Sequence, residues 1–317
     1  MFREDFVWGV ASSAYQVEGT DAADGRGACV WDMFAADGRV FEHQNADTSC
    51  DHMHHYKEDI ALMRHLGIRA YRFSLNWARI LPEGTGRVNE KAIAMYRDMI
   101  LTMKENGITP YLTLFHWEFP QALYERGGWQ NPDVVQWFGE YAKVVAENFS
   151  DICEYFITIN EPQCVVGLGH LSGVHAPGVK LPVAQTFLVA HHLLMAHGQA
   201  VINLRRYAVR PVKIGFAPTG GVAYPYTDRP EDIEAAKKVY FGFYNPIDNW
   251  TWNVSWFSDP VFLGHYPEEG LKKFAPYLPK ITQEDMELIY QPLDFMGQNI
   301  YNGYYVRAGA DGEPEFV

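Results

Sequence analysis

The chain has 317 residues, a formal net charge of −13 and a hydrophobic share of 48%. That length suits one large domain or two ordinary ones with a sizeable core. The acidic balance speaks against nucleic acid and anionic membranes as partners, and no apolar run is long enough to span a bilayer. Four cysteines (Cys29, Cys50, Cys153, Cys164) show no CxxC spacing. The first residues read as a loop entering a strand rather than a signal peptide, so a cytoplasmic protein with reduced thiols is expected. Asn-x-Ser/Thr triplets at Asn148, Asn249 and Asn253 then read as chance occurrences.

In chain order, a first strand is predicted over residues 6–11. A helix carrying Tyr56, Ile60, Met63 and Leu66 on one face follows and stops at Gly67. Further strands are predicted at 68–75, 111–115, 155–159, 213–217 and 294–301. Helices at 90–106, 134–148, 186–207, 232–240 and 283–290 separate them. This alternation predicts an α/β fold with a parallel sheet and helical crossovers. The expectation is a (β/α)8 TIM barrel, a single domain over residues 1–317, of which six units are visible. A doubly wound open sheet is the alternative, but no glycine-rich fingerprint follows the first strand. Long inserts (16–51, 162–182, 219–230) follow strand ends, where such a barrel builds its active site. No hidden strand is read between residues 219 and 292, so a barrel two units short of eight is expected.

The strands are apolar until their C-terminal ends and then turn polar. The first runs into Ser12-Ser13-Ala14-Tyr15-Gln16, and the second carries Arg72, Ser74 and Asn76. The third ends in His116-Trp117-Glu118, the fourth in Asn160-Glu161-Pro162, and the sixth carries Asn299 and Tyr301. Five such ends on one rim point to a polar pocket. Glycoside cleavage needs this inventory: a carboxylic acid to protonate the leaving oxygen, a second carboxylate, donors for several hydroxyls, and a flat aromatic face. Glu161 supplies the first; Gln16, His116, Asn160 and Trp117 suit the last two.

At this point the chain resembles the family 1 glycoside hydrolases, the β-glucosidase family. The resemblance runs through Phe6-Val7-Trp8-Gly9, Ala14-Tyr15-Gln16-Val17-Glu18-Gly19, Tyr71-Arg72-Phe73-Ser74 and Thr113-Leu114-Phe115-His116-Trp117. It continues through Asn160-Glu161-Pro162, Ala176-Pro177-Gly178, Ala196-His197-Gly198, Asp259-Pro260-Val261-Phe262-Leu263-Gly264 and Asp294-Phe295-Met296-Gly297. The resemblance implies that Glu161 is the acid/base, that Asn160 binds the sugar 2-hydroxyl, and that Gln16 and His116 bind the 3- and 4-hydroxyls. It implies that Trp117 donates its indole N–H to the same region. Arg72 and Tyr301 would hold the nucleophilic carboxylate, with Asn299 beside them. No cofactor or metal is implied.

Two departures accompany the resemblance. Glu118 stands where the family has Asp, and is expected to pair within its loop. The sixth strand reads Gln298-Asn299-Ile300-Tyr301 where Ile-Asn-Tyr-Tyr is commoner. The family's Ile-Thr-Glu-Asn-Gly-like nucleophile segment is not found, so the nucleophile is expected outside this chain, on a missing C-terminal segment or a second polypeptide that completes the barrel. Taken alone, the 317 residues are then expected to be inactive. The expected activity is retaining β-glucosidase action on a β-glucoside or short β-linked oligosaccharide. A 6-phospho-β-glucosidase is a rival; the resemblance counts Trp117 and Pro162 against it. A non-catalytic glycan-binding or inert fragment is the rival of another class. His52, His54 and His55 lack metal-ligand spacing and read as structural, as do His191, His192 and His197. Trp129, Trp137, Trp250, Trp252 and Trp256 read as packing, with one of the last three available to line a leaving-group site.

Overall fold

Six strands form the main sheet in the order β1 (Gly9–Ala11), β2 (Ala70–Ser74), β3 (Thr109–Phe115), β4 (Tyr155–Asn160), β5 (Lys213–Ala217) and β7 (Phe295–Met296). A computed structural model describes residues 2–20, 24–244 and 246–317, so residues 21–23 of the 16–51 insert lie outside it. The first four strands pair in parallel, with Gly9 opposite Ala70, Ala70 opposite Thr109 and Tyr111 opposite Tyr155. The runs of β2, β3 and β4 are largely buried, as parallel strands under helical crossovers must be, whereas β1 is exposed.

The crossover helices follow from their patterning. In the helix Glu90–Glu105, Asn89 caps the first turn by accepting from the Ala92 N–H. Ile93, Tyr96, Ile100 and Met103 are buried at helical spacing, and Gly107 with φ +72° ends the run. The helix Val134–Phe149 buries Trp137, Phe138 and Tyr141, and the Trp77 ring stacks on Tyr141 at 5.0 Å between centroids.

The chain divides into two compact units. The first comprises Met1–Asn160, Gln199–Phe216 and Leu293–Phe295; the second comprises Glu161–Gly198, Ala217–Pro292 and Met296–Val317. The second unit holds a small sheet in the order β6 (Val222–Pro225), β8 (Gly303–Ala308), β9 (Pro314–Phe316). β6 and β8 run parallel with Tyr224 opposite Tyr305, and β9 joins antiparallel with Phe316 opposite Val306. Val306 packs on Ala235 and Ala236 of the helix Pro230–Phe241. Buried Asp232 in that helix accepts from Thr227 Oγ1 (2.6 Å) and the Ala308 N–H (2.9 Å).

Three expectations are corrected. A strand does lie between residues 219 and 292, namely β6. The strand expected at 294–301 is only Phe295–Met296, because beyond it the Asn299 backbone bridges Thr219. The first strand is Gly9–Ala11 alone, and the preceding Phe6 and Trp8 pack with Phe2 in an exposed aromatic cluster.

Candidate active site

Within the first unit, the ends of β2, β3 and β4 bring four expected residues together. Arg72 Nε donates to Thr113 Oγ1 (3.0 Å), and its Nη2 donates to Asn160 Oδ1. An arginine only donates, so the Asn160 oxygen must face it and the Asn160 amide must face His116. That amide lies 3.1 Å from His116 Nε2, which therefore accepts and leaves the ring proton on Nδ1. Burial, aided by the Arg72 charge, pushes the His116 pKa down to about 3, which keeps the imidazole neutral as this bond requires.

Trp117 follows His116 at the end of β3. Its indole N–H donates to the Asn160 main-chain oxygen at 3.0 Å. The cause is local: a φ of +88° turns the chain sharply after β3. Gln16 is exposed on the short helix Ala14–Val17, and its carbonyl accepts from Ser49 Oγ. Glu118 is buried and takes the Tyr15 N–H at 2.7 Å, while burial pushes its pKa up to about 8. Glu18, from the same motif as Gln16, is structural: buried Arg79 and the Tyr96 hydroxyl donate to it at 3.2 and 2.7 Å.

Glu161 directly follows Asn160 in sequence and belongs to the second unit. It sits in the left-handed region (φ 48°, ψ 68°) and is the N-cap of the short helix Pro162–Cys164. Pro162 fits the first helical position, where an N–H would be unpaired in any case. The Glu161 N–H donates to the Ala217 carbonyl at 2.7 Å. Its carboxylate is 4% exposed, and each oxygen accepts one donor: Asn299 Nδ2 on Oε1, and Cys164 Sγ at 3.2 Å on Oε2. Burial and the Glu161 charge hold the Cys164 thiol above its ordinary value, so it stays protonated.

A cavity of about 510 Å³ opens beside this group, lined among others by Glu161, Cys164, Asn249, Trp252, Tyr301 and Tyr304. Among the described residues lining it, Glu161 is the sole acid, and there is no lysine or arginine. Tyr301 is 86% exposed at this cavity. Asn299, expected beside a nucleophile, instead donates to Glu161. A buried carboxylate facing a cavity with aromatic walls can exchange a proton with a bound sugar. Sequence reading missed Cys164 and Asn249; the spacing of three from Glu161 across a helix start was the available signal for Cys164.

The histidine-rich stretches are engaged in local pairs. His52 Nδ1 meets Asp59 at 2.6 Å, and His54 Nδ1 meets Asp51 at 2.6 Å. Among the described residues no group of His, Cys, Asp and Glu is arranged to hold a metal ion, and no helix is long and apolar enough to cross a membrane.

Residues 1–315 match glycosyl hydrolase family 1, and the chain belongs to that family of glycoside-hydrolysing enzymes. Among its relatives, the 1,4-beta-D-glucan glucohydrolase of Thermotoga neapolitana is 42% identical over 307 residues, which is 96% of this chain and 70% of that protein. Beta-glucosidase A of Thermotoga maritima is 42% identical over 311 residues, 98% of this chain and 67% of that protein. The solved structure of the beta-glucosidase from Thermotoga maritima in complex with glucoimidazole superposes with a TM-score of 0.87 at 41% identity, covering 100% of this chain and 70% of that one.

Proposed function

We propose that this chain carries the acid/base of a retaining β-glucosidase that hydrolyses terminal β-linked glucosides. The observation that carries the reading is Glu161: a buried carboxylate at the end of β4, next to Asn160, facing a cavity in which it is the sole acid among the described lining residues. Relatives named as β-glucosidases, one of them bound to glucoimidazole, support glucosides as the substrate class. In the proposed cycle Glu161 protonates the leaving oxygen, then deprotonates the water that releases the sugar. Asn160 meets the 2-hydroxyl, Gln16 and His116 serve the 3- and 4-hydroxyls, and Arg72 and Tyr301 orient the attacking carboxylate.

That second carboxylate must lie about 5 Å from the first in a retaining site. We assign it to residues other than these 317, within a complete (β/α)8 barrel.

The test is hydrolysis of an aryl β-glucoside, with glucoimidazole titrated calorimetrically into the same samples. The 317 residues alone should bind the inhibitor with negligible turnover. Protein that also supplies the second carboxylate should turn over with retention. There, Glu161→Gln should lower the rate on poor leaving groups by about 10²-fold or more. Robust turnover by the 317 residues alone would overturn the assignment of the nucleophile, and unimpaired cleavage by Glu161→Gln would overturn the acid/base.

A further inference from the structure

We propose that Trp252 determines specificity at the Glu161 cavity: its indole is the platform for a flat aryl leaving group while Glu161 protonates the departing oxygen. The proposal rests on the reading of Glu161 as the acid/base and names the leaving group which that acid serves. An acid that protonates the glycosidic oxygen must have the leaving group beside it. Among the described residues, Gln16, His116 and Asn160, proposed for the sugar hydroxyls, are not part of the cavity lining, whereas Glu161, Asn249 and Trp252 are. Around Trp252 the chain is anchored residue by residue. Trp250 is fully buried, stacks on Phe187 (3.8 Å between centroids) and Phe257 (5.9 Å), and donates its indole N–H to Thr186 Oγ1 at 3.3 Å. Thr251 is buried against Gly167, where a Cβ would collide with its hydroxyl. Buried Asn253 donates its amide to the Gly242 carbonyl (2.6 Å) and caps the next helix by accepting the Trp256 N–H (2.8 Å). With residues 250, 251 and 253 fixed, Asn249 and Trp252 are the two of this run left open, and both line the cavity. An indole on such supports loses little freedom when a guest binds, which preorganises it.

The rest of the lining selects the guest. Tyr304 and Phe316 meet edge to face at 5.1 Å between centroids, and Val239 and Val254 add aliphatic wall. A second glucose would bring hydroxyls against Val239, Val254 and Phe316, which cannot hydrogen-bond, and would bury them unpaired. An aryl ring brings no such hydroxyls and stacks on the indole face. Asn249 leaves one amide for a polar substituent on that ring. As the second carboxylate bonds to C1, the glycosidic C1–O bond breaks and the Glu161 proton passes to that oxygen. A neutral phenol then departs along the platform.

The experiment is calorimetric binding of methyl 1-thio-β-glucoside, phenyl 1-thio-β-glucoside and thiocellobiose to the 317-residue chain. All three share the glucosyl sulfide and resist hydrolysis, so their affinity ratios report the leaving-group side alone. The parent should bind the phenyl compound about tenfold more tightly than the methyl compound, and more tightly than thiocellobiose. Trp252→Ala should cut the phenyl advantage to about twofold, and Trp252→Phe, which keeps an aromatic face, should retain most of it. A parent ratio near one would overturn the platform whatever the variants do, and so would an undiminished ratio in Trp252→Ala. Thiocellobiose bound more tightly than the phenyl compound would overturn it too, by giving the cavity to a second sugar. Those outcomes leave the glucosidase reading standing. That reading fails instead, and the platform with it, if none of the three compounds binds.

Discussion

Glu118 is a buried carboxyl beside the candidate site. Its side chain is 1% exposed, with Oε1 on the Tyr15 N–H and no hydrogen-bond partner for Oε2 among the described residues. Burial raises its pKa from 4.5 to about 8, so the native state keeps a proton that the unfolded chain releases above pH 4.5. The stabilisation is full below pH 4.5 and is lost as pH rises toward 8. By pH 7 that loss amounts to roughly 3 kcal/mol. Glu118→Gln keeps the acceptor and removes the titration. In urea unfolding, the stability of the variant relative to the parent should rise steadily between pH 4.5 and 8, with Tyr15 still docked. An unchanged slope would mean Glu118 is already ionised. The residue types of the site were legible in the motif strings, but their bonds were not. Sequence gives no φ, so neither the angle of +88° at Trp117 nor the bond from its indole N–H to the Asn160 carbonyl could be foreseen.

At the scale of elements, the Ala196-His197-Gly198 motif turns out to be a packing device. Within the helix Val183–Tyr207, a Cβ at Gly198 would lie 1.8 Å from the Leu288 carbonyl oxygen. That oxygen belongs to the helix Gln283–Ile289, so the motif permits a close helix contact, not chemistry. Gly198→Ala should destabilise by about 3 kcal/mol or more, because backbone cannot yield as a side chain does. Gly67 is the control: its φ is +78° but a Cβ there meets nothing within 4 Å, so Gly67→Ala should cost only backbone strain, about 1 kcal/mol. Thermal melts of the two variants decide the point, and equal shifts would sink it. β2 to β5 were readable because they are mostly apolar, buried runs set between helices of clear periodicity. β6 and β8 were not: Val-Ala-Tyr-Pro is short, and Gly-Tyr-Tyr-Val-Arg-Ala hides its alternation behind two tyrosines.

For the whole molecule, acid is the predicted weakness. Burial holds His116 and His197 down to about 3 and His170 to about 4, all below the ordinary 6.5. Above pH 6.5 native and unfolded chains are both neutral at these sites. Below it the unfolded chain gains protons that the native one refuses, so stability is lost as pH falls toward 4. Each histidine costs about 1 kcal/mol per pH unit over that window, and three together outweigh the opposite trend of Glu118. The urea midpoint should therefore fall between pH 7 and 5.5, with net proton uptake on unfolding. A midpoint flat over that range would show that these rings already carry charge in the native state.

The wall that Trp252 contributes to the Glu161 cavity has an optical consequence. Trp77, Trp129, Trp137, Trp250 and Trp256 are buried; Trp252, 36% exposed, lines this cavity, whereas the more exposed Trp8 does not. Water beside an indole shifts its emission to the red, and a guest that expels that water shifts it back. The protein thus carries its own gauge of occupancy next to its acid, readable without label, chromogenic substrate or turnover.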